Sequence, residues 1–481
     1  MSFVRRLLRS PRSILRTQIG PRLAARRPVR TDLPFDRWGL TVGPSGTLTR
    51  GSVDLAQLAE EYGTPLHLVD ATALDRNADE ALAPLRAGNG ADMYYSYKTN
   101  PIPAVVDRLH RRGLGAEVIS PFELWLAGAL GVPPERIIYN GPAKSARSIH
   151  DAIVKGVRAI NANSLNEANL IRDLARDAGV AANLGVRVAV PGAWGGQFGV
   201  SPGSRDLDDL IRGAALDQWT DLVSLHAHRG RLIRDEATWR SFVGSVLGVC
   251  DDLRDRTGWH PRLLDLGGSL ACPTVASPSR VEFRFNRAFG SDLLPPDPDD
   301  CLTLRRSALL AAEIVGRWCD EHGLDPPSLV QEPGRAMTGD TQLLLTTVVD
   351  VKLDGVLPHA VLDAGINIAE PLPNEFHQLF SVTAPSVAAT RSCRLAGPIC
   401  TPADVLYNNW RLPDLQPGHV LAIMDTGAYF VPFSTEFSFP RPAIVMQDGT
   451  EVRTIRSAEQ FVDLVGLDLV DGAPITDRVR H

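Results

Sequence analysis

The stretch from Met93 to Pro101, MYYSYKTNP, opens as a buried strand and ends on a cation. A methionine and three tyrosines lead to Lys98, and Thr99, Asn100 and Pro101 then supply turn chemistry. A lysine in such a place is most often a solvated strand terminus. The sharper reading is an amine that reaches into a pocket, where it forms a Schiff base or acts as a base.

Further apolar runs follow at regular intervals: GAEVI, RIIYN, RAINA, NLGVRVAV, DLVSLHAH, RLLDLGG and SLVQEPG. With ADMYYSY they make eight strand candidates between Ala91 and Gly334. Stretches such as PAVVDRLHRRG, PFELWLAGALG and SLNEANLIRDLARDAG lie between them with apolar residues at helical spacing. Strands alternating with helices give a parallel sheet, and eight such units predict a closed (β/α)8 barrel. A doubly wound open sheet is the alternative, but the GxGxxG fingerprint it often carries is missing. From about residue 340 the pattern changes to β-branched runs broken by Pro and Gly, such as LLLTTVVDVKL and HVLAIMD. These predict a second, mostly antiparallel β domain. Pro273 to Asp300 reads as a long, loop-like insertion that shapes or covers a pocket.

At 481 residues the chain is too long for one ordinary core. Its 44% hydrophobic and 22% charged content is that of a water-soluble globular protein. A net charge of −6 gives no sign of nucleic-acid binding. Six cysteines without CxxC or zinc-type spacing predict a reduced, cytoplasmic protein with no metal site. No apolar run is long enough to predict a membrane span. Residues 1–31 hold nine arginines and no acid, which resembles an organellar presequence, a basic arm or a loose tail; they are set aside from the fold.

In a barrel the chemistry gathers at the C-terminal strand ends. Here those ends carry Lys98, Glu117, Ser120, Asn140, Arg187, His226, His228, Gly267, Gly268, Glu332 and Arg335. An amine, imidazoles, paired glycines and arginines, without a carboxylate cluster for a metal, suit a cofactor with a carbonyl and a phosphate. Pyridoxal 5'-phosphate fits best. Alternation places His226 one step deeper than His228, as a packing residue, and leaves Arg187 open between an ion-pair partner and a ligand group.

YSYKTNP, GAEVISPFEL, LHAHRG, LDLGG, VQEPGR, LDAGI, GPICTPADVL and DTGAYFVPFSTEFSFPRP, in this order, resemble the motifs of the fold-type III pyridoxal-phosphate decarboxylases. That group takes in diaminopimelate, ornithine and arginine decarboxylases, and diaminopimelate decarboxylases are nearest. The resemblance implies a Schiff-base lysine at Lys98, with Glu117 at an acidic motif position and Glu123 at a motif glutamate. It implies His228 against the cofactor ring, Glu332 at the ring nitrogen, and Gly267, Gly268, Gly334, Arg335 and Tyr429 around the phosphate. Cys400 falls on the catalytic cysteine, which crosses from a partner subunit in relatives, so a homodimer with shared active sites is implied. Asp363 and Thr401 fall on substrate-side positions. The resemblance divides the chain into a basic tail (1–35), a first strand segment of the β domain (36–65), a cofactor-binding barrel (66–337) and a C-terminal β domain (338–481).

The departures concern the substrate. Thr401 stands where diaminopimelate decarboxylases have a glutamate, and DAGINIAEPLPNEFHQLF has no arginine, with Phe376 or His377 near a tyrosine position. Arg231 and Ser269 replace a serine and a third glycine of the phosphate motifs. The expected function is decarboxylation of an amino acid that differs from diaminopimelate at its far end, with Arg231 and the insertion supplying contacts to a larger or more acidic group. Diaminopimelate decarboxylation, a catalytically silent binding relative and a racemase are the alternatives. Phe433, Phe437 and Phe439 are expected in the β-domain core or a dimer interface.

Overall fold

The computed structural model describes residues 29–193, 195–230, 232–353, 357–387, 389 and 391–478. Arg231 and most of the arginine-rich start lie outside the described residues. The chain forms two compact units, one of residues 72–273 and 298–339, the other of residues 1–71, 274–297 and 340–481.

The first unit is the barrel. Its strands are β1 (Asp92–Ser96), β2 (Gly115–Val118), β3 (Ile137–Tyr139), β4 (Ala159–Ala162), β5 (Ala182–Val188), β6 (Thr220–Ala227), β7 (Leu263–Asp265) and β8 (Ser328–Gln331). All neighbours are parallel, and pairing of Val330 with Asp92 closes the ring. β2, β3 and β4 are buried at every residue, which is why they read as mainly apolar runs, interrupted by Glu117 and Asn161, rather than as alternating ones. Tyr94, Ile138, Ala159, Leu263 and Val330 pack as one interior cluster. Gly115 makes room for it, since a Cβ there would meet the Tyr94 ring at 2.4 Å.

Helix boundaries follow capping chemistry. The helix Leu165–Ala178 starts where the Ser164 side chain accepts the Glu167 N–H, and stops at Gly179 with φ 66°. These turns bring each strand back into the ring and leave its C-terminal end facing the same way as the others.

The second unit holds a nine-stranded sheet in which Gln342–Lys352 pairs antiparallel with Leu66–Asp70, Val420–Ile423 and His359–Leu362. Two features differ from the reading of the sequence. The early strand that enters this sheet is Leu66–Asp70, beyond the boundary drawn at residue 65; its first four residues are buried and it is paired on both sides. The segment Leu40–Asp54 instead forms its own three-stranded sheet. The insertion is not a loop throughout: Arg280–Phe289 is a helix with a Ser279/Glu282 capping box, and Phe283 packs on the core of this unit.

Candidate active site

Lys98 lies in a short turn directly after β1. Its Nζ donates to Ser96 Oγ at 2.6 Å and to Glu117 Oε2 at 2.8 Å. Ser96 Oγ in turn donates to the same carboxylate oxygen. The Glu117 side chain is 1% exposed and that of Lys98 30%, so the amine end stays reachable while its partner does not. The buried Lys144 offers a contrast. Its Nζ is held by the Gly141 and Asn161 carbonyls and by Glu167, so it is a structural clamp.

Glu117, Asn140 and Glu332 form a chain across the strand ends. Asn140 Nδ2 donates to Glu117 Oε1 at 3.0 Å and to Glu332 Oε1 at 2.6 Å. Two carboxylates sharing one amide nitrogen repel by about 3 kcal/mol at an effective dielectric of about 20, enough to protonate one of them unless the site compensates. Burial works against ionisation of Glu332, but His226, 3.6 Å from its Oε2, and the Lys98 charge outweigh it and hold the carboxyl below the usual range. The neighbouring Asp265 takes the opposite course, pushed well up by burial and by the Glu332 charge. An ionised Glu332 suits a protonated ring nitrogen.

His228 is fixed at both edges. Nδ1 accepts the Gly268 N–H at 3.2 Å, which leaves the proton on Nε2, 3.1 Å from Ser269 Oγ. Burial and then the Lys98 charge hold this imidazole neutral. His226, His228 and Glu332 bring donor atoms within 4.8 Å of one another, but with both His228 nitrogens engaged the trio is a poor metal site. Ser269, in place of a glycine, adopts φ 74°, and its hydroxyl accepts the Gly230 N–H at 2.9 Å. The Gly267 N–H donates to Asp265 Oδ1, so the two glycine amides expected at a phosphate are committed within the barrel. The glycines themselves are required by packing: a Cβ on Gly268 would lie 2.2 Å from the Glu332 carbonyl oxygen, and one on Gly267 2.6 Å from His228 Nδ1. Gly334 is equally confined by Thr99, at 2.1 Å, and starts the turn that carries the buried Arg335.

Lys98, Glu117, Asn140, Arg187, His226 and Glu332 line one cavity. Arg187 stacks on Phe198, 4.6 Å from the ring centroid, and has no ion pair among the described residues, so its charge is open to an anionic oxygen. His226, expected to pack, is buried but belongs to this wall. The donor set fits pyridoxal phosphate: an amine for the carbonyl, an ionised carboxylate for the ring nitrogen, and cations for anionic groups.

Asp363, Cys400, Thr401 and Tyr429 belong to the second unit. Asp363 accepts hydrogen bonds from Thr64, Thr346 and the Thr347 N–H, which tether it to its own sheet. Cys400 is exposed. Its loop is pinned by the buried Asp404, which accepts the Ile366 and Ile399 N–H groups at 2.8 and 2.9 Å. Gly365 and Gly397 pack against that carboxylate and against each other. Thr401 Oγ1 accepts the Ala403 N–H. Tyr429 sits at φ 72° beside Phe433. Phe376 and His377, considered at the distal position, are both fully buried, and Phe376 is part of the core. Phe433, Phe437 and Phe439 are 55%, 54% and 39% exposed, so they are surface and not β-domain core.

Asn140 and Asp404 are the residues whose parts sequence reasoning missed. An Asn at a strand end and an Asp after a Pro-Ala pair are ordinary turn residues until their partners are known.

Known proteins carry the same architecture. Over 451 residues the chain is 28% identical to the diaminopimelate decarboxylase of Methanothermobacter thermautotrophicus, covering 89% of this chain and 96% of that one. It is 26% identical to the Bacillus subtilis diaminopimelate decarboxylase, over 88% and 95% of the two chains. The crystal structure of diaminopimelate decarboxylase from M. jannaschii in co-complex with L-lysine superposes with a TM-score of 0.78 at 25% identity, covering 90% and 98%. Residues 75–339 match the family described as pyridoxal-dependent decarboxylase, pyridoxal binding domain. That match takes in all eight barrel strands and more than half of the sequence, so the chain belongs to the pyridoxal-dependent decarboxylases, enzymes that act on amino acids with pyridoxal 5'-phosphate as cofactor.

Proposed function

We propose that this decarboxylase removes the α-carboxylate of an amino acid whose far end is acidic, and works as a homodimer with Cys400 of one copy serving Lys98 of the other. One observation carries the substrate reading. A groove of about 360 Å³ runs between the insertion helix and the residues just after Cys400, lined by Arg284, Arg287, Pro402 and Ala403. Its only charged lining residues are the two arginines, and neither has an ion pair among the described residues. Thr401, where diaminopimelate decarboxylases place an anion, removes a partner for a distal ammonium.

Pyridoxal phosphate, when bound, supplies the sink for the electron pair left as carbon dioxide departs. Lys98 is the amine that holds the cofactor, steered by Ser96 and Glu117. Glu332 keeps a proton on the ring nitrogen through its negative charge, and the neutral His228 is fixed edge-on by Gly268 and Ser269 so that its face is free for the ring. Arg335 is assigned to the phosphate, with Gly267, Gly268 and Gly334 shaping the turns around it. Cys400 carries the proton returned to the α-carbon. The exposed Phe433, Phe437 and Phe439 are apolar surface that a second copy would cover.

The relatives' name favours a second reading, diaminopimelate decarboxylation. A silent binding protein has less support, because the Lys98–Glu117 pair and the ionised Glu332 are of no use without the chemistry. The test is incubation of the holoenzyme with amino acids whose far ends are neutral, cationic, acidic or zwitterionic, with carbon dioxide and amine measured. The acidic class should turn over fastest; the zwitterionic class leading would restore the second reading.

A further inference from the structure

We infer that Asn140 is a positioning residue that keeps the ring-side carboxylate Glu332 ionised beside the lysine-side carboxylate Glu117 by giving one amide hydrogen to each. The inference rests on the pyridoxal-phosphate site but not on the identity of the substrate.

The orientation of the amide is forced. Asn140 Oδ1 accepts from Asn161 Nδ2 at 2.8 Å, while Nδ2 faces both carboxylates. A flipped amide would turn its oxygen toward two anions and its NH2 toward another NH2. Asn161 is held in turn by close packing on β5. A Cβ on Gly185 would come within 1.9 Å of Asn161 Oδ1, so glycine is needed there. Three successive strands thus fix one NH2 group. Asn140 is 2% exposed and Asn161 1%, so water does not substitute for either.

Each carboxylate has a separate duty. Glu117 holds Lys98 Nζ, and Glu332 stands beside His226. Without the shared donor, Glu332 relieves the repulsion by taking a proton, and the ring-nitrogen charge is lost. The other groups facing this pair are Asp265, Arg187 and His228, with Glu123 beside Glu117. Asp265 is itself driven toward the protonated form and serves Glu332 alone, while His228 is engaged with Gly268 and Ser269. Asn140 is therefore the neutral donor common to both.

The experiment is a pH titration of the visible absorption band of the holoenzyme, with cofactor affinity and thermal stability measured on the same samples. Asn140→Ala and Asn140→Asp should each raise the band's midpoint by a pH unit or more. A proton left on Glu332 makes the ring less positive, and the adjoining link to Lys98 then holds its own proton more tightly. Cofactor should bind at least tenfold more weakly, and kcat should fall while KM changes little. Asn161→Ala, which leaves Asn140 in place but frees its amide to turn, should move the midpoint in the same direction by less, and serves if the Asn140 variants do not fold. A midpoint unchanged in every folded variant, even with lowered thermal stability, would mean a purely structural asparagine and overturn the inference. A wild-type holoenzyme with no visible band would instead refute the cofactor site itself.

Discussion

The barrel strand ends and the Cys400 side of the β unit solve opposite problems. At the strand ends, Lys98, Glu117, Asn140 and Glu332 are linked by hydrogen bonds of 2.6–3.0 Å, and the carboxylates are almost fully buried. Beside Cys400, the arginines of the insertion helix project from an exposed face without ion pairs among the described residues. A rigid network suits a step that is the same for every substrate, because preorganised charge costs nothing to arrange during reaction. A loose, unpaired surface suits recognition, which must be rebuilt when the substrate changes.

The comparison is most easily broken at Lys98. Lys98→Ala should abolish the borohydride-trappable link to the cofactor and cut decarboxylation by about 10⁴-fold, at the upper end for a single acid–base group, while the fold is kept. Label found on the clamped Lys144 in the wild type would contradict the division of roles between the two lysines.

A smaller loss is expected at Cys400, about 10²-fold for Cys400→Ala if the thiol returns the proton. Mixing Cys400→Ala with Lys98→Ala subunits should restore part of the activity, since one of the two hybrid sites then holds both residues. Verified heterodimers that stay inactive would remove the shared site from the account.

Arg284→Gln with Arg287→Gln should lower kcat/KM for an acidic-ended substrate by about tenfold per arginine, the low end for a charged contact on an accessible surface, and leave a neutral-ended one unchanged. Equal losses on both substrates would make the groove an element of structure.

The smallest effect concerns stability alone. Burial, and then the Glu117 charge, push Glu123 up to about 7. The native state therefore retains this proton between the unfolded carboxyl's ordinary value and about 7, so the wild type loses stability as pH rises through that window. Glu123→Gln keeps an oxygen for the Ile119 N–H and should gain about 1–3 kcal/mol over the wild type above that window, and nothing below it. Denaturant unfolding at both ends of the range measures the difference.

Much of the barrel was legible because its strands are largely buried on both faces and so appear as mainly apolar runs; Lys98 stood out as a cation closing the most aromatic of them. The helix Arg280–Phe289 was hidden because Val281, Phe283 and Phe285 alternate as a strand would, and its one local mark, the S-x-x-E spacing from Ser279 to Glu282, was passed over. Leu66–Asp70 has no local mark that assigns it to one unit rather than the other; its pairing with Gln342–Lys352 lies far along the chain. Asn140 was legible as a strand-end residue, but its two carboxylate partners were not, and the part of Asp404 was hidden for the same reason. Their partners sit up to 192 and 38 residues away, and a single sequence carries no record of such contacts. The Lys98–Glu117 pair was recoverable because each residue ends a strand and neighbouring strands in a barrel bring their ends together.

The most direct test of a retained reaction with rebuilt recognition compares two substrates that differ only at the far end. These are meso-diaminopimelate and 2-aminopimelate (each enantiomer separately), which share chain length and distal carboxylate and differ in the distal amine. With arginines in the groove and Thr401 in place of an anion, 2-aminopimelate should give the higher kcat/KM by about tenfold or more, since one unpaired buried ammonium costs at least that much. Meso-diaminopimelate turning over faster, at a rate normal for a dedicated enzyme, would contradict the account and make this chain a diaminopimelate decarboxylase with unusual contacts.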